Sequence, residues 1–110
     1  MTKLGISPLA EQDIEAIGDF IAQDNPVRAL TFTEELFQQC LLIAERPEIY
    51  RQRPELGHSL RSCAYGRYVI FFRVSDTEVR IERLLHGSRD IINILAAPDE
   101  AIDSSDSLKE

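Results

Sequence analysis

Five consecutive residues, Tyr68-Val69-Ile70-Phe71-Phe72, are apolar or aromatic and lie between two turn signals, Tyr65-Gly66-Arg67 and Ser75-Asp76-Thr77-Glu78. Side chains on a strand point alternately to opposite sheet faces. A run without polar alternation therefore predicts a strand, Tyr68–Val74, that is covered on both sides. Flanking runs at Leu60–Ala64 and Val79–Leu85 supply two neighbouring strands. The fold must then provide material for two faces of one small sheet.

The N-terminal half supplies cover for one face. After a short strand at Lys3-Leu4-Gly5-Ile6, Ser7-Pro8 opens a helix, because serine caps free amides and proline is tolerated at the first helical position. Ala10, Ile14, Ile17 and Ile21 recur at helical spacing on one face. Asp24-Asn25-Pro26 ends this helix and starts a second. Its apolar stripe is Ala29, Phe32, Leu36, Phe37, Cys40, Ile43 and Ala44, and Arg46-Pro47 stops it. The short connector makes the two helices an antiparallel hairpin. Residues 48–58 read as a loop, and Asp90–Ala97 as a short helix halted by Pro98. The second sheet face is then left to this C-terminal segment, to a partner, or to both. The fold class is α+β in the order β-α-α-β-β-β, with the helical hairpin packed on a small, mostly antiparallel sheet. Residues 1–98 form one domain, and residues 99–110 an acidic, serine-rich tail that reads as disordered.

The net charge of −7 is unevenly spread. Residues 1–45 carry two basic side chains against eight acids, residues 46–89 nine arginines against five acids, and residues 90–110 one lysine against six acids. Local charge governs partner choice more than the total. Such a chain repels nucleic acid at long range, while its middle third can grip an acidic protein segment or a phosphate. No stretch approaches the roughly 20 apolar residues of a membrane span, and the N-terminus lacks a secretory pattern, so a cytoplasmic protein is expected.

Candidate chemistry is sparse. Cys40 and Cys63 fall on a helix face and a strand, which makes both reduced packing residues, and no zinc spacing or nucleotide loop occurs. No metal and no cofactor are expected. His58 sits in a loop, and His86 ends a strand before Gly87, where a polar terminator is the plainer reading than a general base. Strand alternation puts Arg83 on the face of Val79, Ile81 and Leu85, an awkward place for a guanidinium unless it pairs. Either it bridges to Glu55, Glu82 or a hairpin carboxylate, or it anchors a partner's carboxylate or phosphate. Arg61, Arg67 and Arg73 suit a solvated strand face, and Arg89 follows the last strand.

Several pieces, in order, carry a resemblance. They are Asp13-Ile14 with Ile17, Ile21-Ala22 with Asp24-Asn25-Pro26, Ala44 with Pro47, and Arg53-Pro54-Glu55-Leu56. The most specific are Leu60-Arg61, Tyr68–Val74 and Arg83-Leu84-Leu85-His86-Gly87-Ser88-Arg89-Asp90. Over Leu9 to Ile91 the chain resembles the ParE toxins of type II toxin–antitoxin systems, within the RelE/ParE superfamily. The resemblance implies a non-enzymatic toxin that inhibits DNA gyrase by trapping its cleaved-DNA complex, in systems such as those that stabilise plasmids. It also implies a ParD-like antitoxin in a hetero-oligomer, with contact to operator DNA only through that antitoxin and none with a membrane. On this reading Arg61, Arg67, Arg83, His86 and Arg89 meet the target, while Ile14, Ile21, Phe32, Leu36, Tyr68, Ile70 and Phe72 meet the antitoxin. The related RelE-type ribosome-dependent mRNA nucleases place a proton-transferring residue near Leu95 and a catalytic arginine near Val69, and only Arg89 fits their set. A nuclease, or a degenerate homologue that keeps only antitoxin binding, are the alternatives.

Overall fold

The computed structural model describes residues 3–96. The expected tail, 99–110, lies outside the described residues. Strand β1 (Lys3–Ile6) leads into helices α1 (Pro8–Ala22) and α2 (Pro26–Glu45). A single 3-10 turn (Pro47–Ile49) follows, then strands β2 (Arg51–Gln52), β3 (Leu60–Tyr65), β4 (Tyr68–Val74) and β5 (Glu78–His86), and helix α3 (Ile91–Ala96). The strands form one sheet in the order β1-β5-β4-β3-β2. Only β1 runs parallel to its neighbour; the other pairs are antiparallel.

The helix starts follow the capping chemistry of the sequence. Ser7 Oγ accepts from the Ala10 amide at 3.0 Å and donates to the Glu82 carbonyl at 2.8 Å, so one buried hydroxyl starts α1 and fastens it to β5. Asn25 Oδ1 accepts from the Arg28 amide at 3.0 Å and starts α2. The two-residue β2 falls inside the expected loop. Arg51 and Gln52 carry no apolar strand signal, and the strand is set by pairing with β3, Arg51 opposite Ser62 and Gln52 opposite Arg61.

Two apolar layers sandwich β4. Ile70 and Phe72 face the helices and pack with Ile17, Phe32, Leu36, Cys40 and Ile43, while Phe71 faces the other way with Leu60 and Leu85. Leu56 from the loop and Ile91, Ile94 and Leu95 of α3 cover that second side. The chain's own C-terminal segment is thus the cover that the unbroken apolar run required. Burial of Phe71 and Phe72 stabilises the fold by roughly 1.5–3 kcal/mol each.

A bulge in β5 corrects the expected facing of its side chains. Phe71 pairs with Arg83 but the next residue, Phe72, pairs with Ile81, so Glu82 is the extra residue and alternation shifts there. Val79, Ile81 and Leu84 belong to the helix-side core, and Leu85 to the opposite one. Arg83 therefore does not share one unbroken face with Val79 and Ile81.

The β3–β4 turn depends on Gly66, whose φ is 60°. A Cβ there would meet the Phe32 ring at 3.6 Å, an ordinary contact, so the penalty for a side chain lies in the backbone conformation. Gly66→Ala is expected to destabilise the fold by about 1 kcal/mol, read as a lower thermal midpoint with an unchanged circular dichroism spectrum.

Candidate functional site

The arginines that stand out in the sequence divide into those the fold uses and those it leaves outward. Arg83 Nε and Nη2 donate to the two oxygens of Asp13 on α1 at 2.7 and 3.0 Å. Asp13 also accepts from the Leu84 amide at 2.9 Å. The reason is topological. Strand β1 ends opposite Ile81, so β5 runs on past its parallel neighbour, and side chains from Ser7 and Asp13 take its carbonyl and amide instead. The Asp13 hydrogen bond raises the Arg83 pKa above its ordinary value against the lowering effect of burial. With side-chain exposures of 18% and 14%, Arg83 and Asp13 are part of the framework. A hairpin carboxylate thus occupies the guanidinium that was expected to meet the target, as the bridging alternative required.

Arg61 also has an internal role, donating to the Tyr50 carbonyl at 2.7 Å and tying the 3-10 turn to β3. Arg53 pairs with Glu55 at 2.7 Å, Arg73 and Arg80 both approach Glu82, and Arg73 donates to the His58 carbonyl. Arg67, in the β3–β4 turn, and Arg89, after β5, are exposed and make no ion pair among the described residues.

The structure brings His86 and Arg89 together at a cleft of about 270 Å³ between α1 and the end of β5. Asp13, Ala16, Ile17 and Phe20 line it from α1, Tyr68 from β4, and Leu84 and Leu85 from β5. The His86 ring stands edge-on to Tyr68 at 5.3 Å, and its Nδ1 accepts from the Ser88 amide at 3.1 Å. That bond shapes the turn that carries Arg89, whose own amide donates to the His86 carbonyl at 3.0 Å. The arrangement offers cationic and hydrogen-bonding contacts beside an apolar wall. Arg67 and Arg61 lie outside this lining.

The residues expected to meet an antitoxin do not form one surface. Leu36, Ile70 and Phe72 are 0% exposed and Phe32 is 7% exposed, so these four are core residues with no face to offer a partner. This corrects their assignment as contacts: the apolar stripe of a packed helix points inward by construction. Ile14, Ile21 and Tyr68 are half-buried against the same core. Instead, Val27, Leu30, Phe37 and Leu41 form an outward stripe on α2, with Val27 72% and Leu30 74% exposed. Spacings of three, seven and four residues put them on one side of the helix. Phe37, expected with the inward stripe, is 45% exposed and belongs instead to this second helical period, which Val27, Leu30 and Leu41 mark in the sequence.

A polar cluster borders α2. Glu35 accepts from Arg28 at 2.8 Å and from the Tyr65 hydroxyl at 2.9 Å, while Arg28 lies 5.0 Å from the Phe32 ring centre. The hydrogen bond from Arg28, followed by that from Tyr65, holds the Glu35 carboxyl below its ordinary pKa. A carboxyl depressed in the folded state contributes stability above its unfolded pKa, and that contribution is lost as pH falls through the folded value. Thermal midpoints of Glu35→Gln and the parent are expected to differ at neutral pH and converge below the usual carboxylate value of about 4.3.

Among the described residues no cluster of His, Cys, Asp or Glu is arranged to hold a metal ion, and no helix is long and apolar enough to cross a membrane. Cys40 and Cys63 are free, buried thiols, and burial pushes Cys40 up to about 11.

With this geometry in place, comparison with known proteins gives two findings. The profile of a family described as "ParE toxin of type II toxin-antitoxin system, parDE" matches residues 4–91. No curated protein matches the chain. A solved structure titled "Chromosomal ParDE TA system from P. aeruginosa" is similar with a TM-score of 0.69 and 22% sequence identity. The match covers 78% of this chain and 96% of that one, and at this identity the likeness is one of fold.

Proposed function

The chain belongs to the ParE toxin family of type II toxin–antitoxin systems, and from that premise we propose that it poisons DNA gyrase by non-covalent contact and is silenced by a ParD-like antitoxin. The toxin acts in the cytoplasm, where its target and antitoxin meet, and reaches operator DNA only through the antitoxin. It makes and breaks no covalent bond itself.

The observation that supports this reading most is the outward stripe Val27, Leu30, Phe37 and Leu41 on α2. Exposed apolar side chains gathered on one side of a helix suit a place where a partner binds. A segment that lays an apolar helix face on it recovers the burial that α2 forgoes. The exposed Arg89, beside His86 at the α1–β5 cleft, is left for the target. Arg67 is a weaker candidate for the same surface.

Induction in a bacterial culture tests the proposal. Filamentation with DNA-damage signalling and intact transcripts, relieved by co-expression of the ParD-like protein, is the expected result. Rapid transcript cleavage on ribosomes would replace the reading with a nuclease, and unimpaired growth would replace it with a homologue that has lost toxicity.

A further inference from the structure

We infer that the α1–β5 cleft docks a protein segment that presents one large apolar side chain next to one carboxylate. This deepens the contact-toxin reading and rests on it, because it states the chemistry of the target at the surface where Arg89 lies.

Size comes first. About 270 Å³ is below the roughly 300–1,000 Å³ typical of cofactor and small-molecule pockets, and suits one or two side chains. The walls are next: Ala16, Ile17 and Phe20 rise from one face of α1 opposite Leu84. Phe20 stands at the cleft 66% exposed, although a packed core lies beside it. A rigid aromatic ring with two torsions forms contacts at low entropic cost, the property that enriches such residues at binding hot spots.

Charge then selects the neighbour of the anchoring side chain. Asp13 lines the cleft, but both of its oxygens are held by Arg83 and one also by the Leu84 amide. Arg89 remains, with a fork of donors that fits a single carboxylate. A nucleic-acid backbone fits less well. Its affinity needs several cations in register, whereas Arg89 is the lone lysine or arginine of the lining. A long acidic run would lack the same cations. One carboxylate beside an apolar anchor is the chemistry that satisfies both walls and charge. The cleft shares no residue with the outward stripe of α2.

The test uses the full chain, labelled with nitrogen-15, and two capped tetrapeptides, Ser-Phe-Glu-Ser and Ser-Phe-Lys-Ser. The glutamate peptide is expected to shift the amides of Ile17, Phe20, His86 and Arg89 saturably, with an affinity about tenfold above that of the lysine peptide. Arg89→Glu should reverse this preference, and Phe20→Ala should weaken both peptides. Both substituted side chains are exposed, so an otherwise unchanged spectrum verifies the fold. Equal affinities, shifts centred elsewhere, displacement by an oligothymidylate, or dilution-dependent shifts from a second copy would each overturn the inference. Growth arrest measured in parallel separates the two claims. Arrest without peptide binding removes the cleft assignment alone, while peptide binding without arrest removes the toxin reading.

Discussion

Arg83→Ala is expected to lower the unfolding free energy by about 3 kcal/mol, because it leaves a largely buried carboxylate without its cation. The Asp13 side chain is 14% exposed and would keep only the Leu84 amide. Asp13→Ala should cost a similar amount, stranding both the guanidinium and that amide. The double replacement Asp13→Leu with Arg83→Met should recover much of the loss, since well-packed apolar groups often substitute for a buried pair at little cost. Chemical denaturation of the four proteins measures these differences. The double variant also decides what Arg83 does. If the residue serves the framework, the stable double variant arrests growth like the parent; if it touches the target, that variant folds and is harmless.

Leu30→Asp is expected to weaken antitoxin binding about 100-fold while changing the thermal midpoint little. Leu30 is 74% exposed and central to the outward stripe, so its loss removes an interface anchor without opening a cavity. Truncation of a hot-spot anchor costs about 2–4 kcal/mol, and a new carboxylate at the contact adds a desolvation penalty. Phe37→Asp should act in the same way. Leu36→Ala provides the contrast: six residues along α2 and fully buried, it should cost about 2–5 kcal/mol of stability. Isothermal titration with the purified ParD-like protein, paired with thermal melts, separates the two outcomes.

The architecture was legible because its signals are local. The caps at Ser7 and Asn25, the helical periods of α1 and α2 and the two turns around β4 each rest on a few adjacent residues. The unbroken Tyr68–Phe72 run even required a second cover, and α3 provides it. The functional surface was less legible because its determinants are relational. Arg83 and Asp13 are 70 residues apart, and nothing in the local sequence pairs them. The bulge at Glu82 undoes the simple alternation that placed Arg83 with Val79 and Ile81. For α2, the dominant apolar stripe is the most visible in the sequence, although the stripe that packs best is the one a partner cannot reach. The weaker period of Val27, Leu30, Phe37 and Leu41 pointed to the exposed side.

If this toxin acts by docking and performs no chemistry of its own, purified components will show it. The full chain would be incubated with DNA gyrase, ATP and supercoiled plasmid, and in parallel with translating ribosomes. Linear DNA released by detergent and protease, suppressed by stoichiometric antitoxin and reduced in Arg89→Glu, together with intact ribosome-bound transcripts, is the predicted result. Transcripts cut on the ribosome, with no trapped gyrase–DNA complex, would make this toxin a nuclease instead.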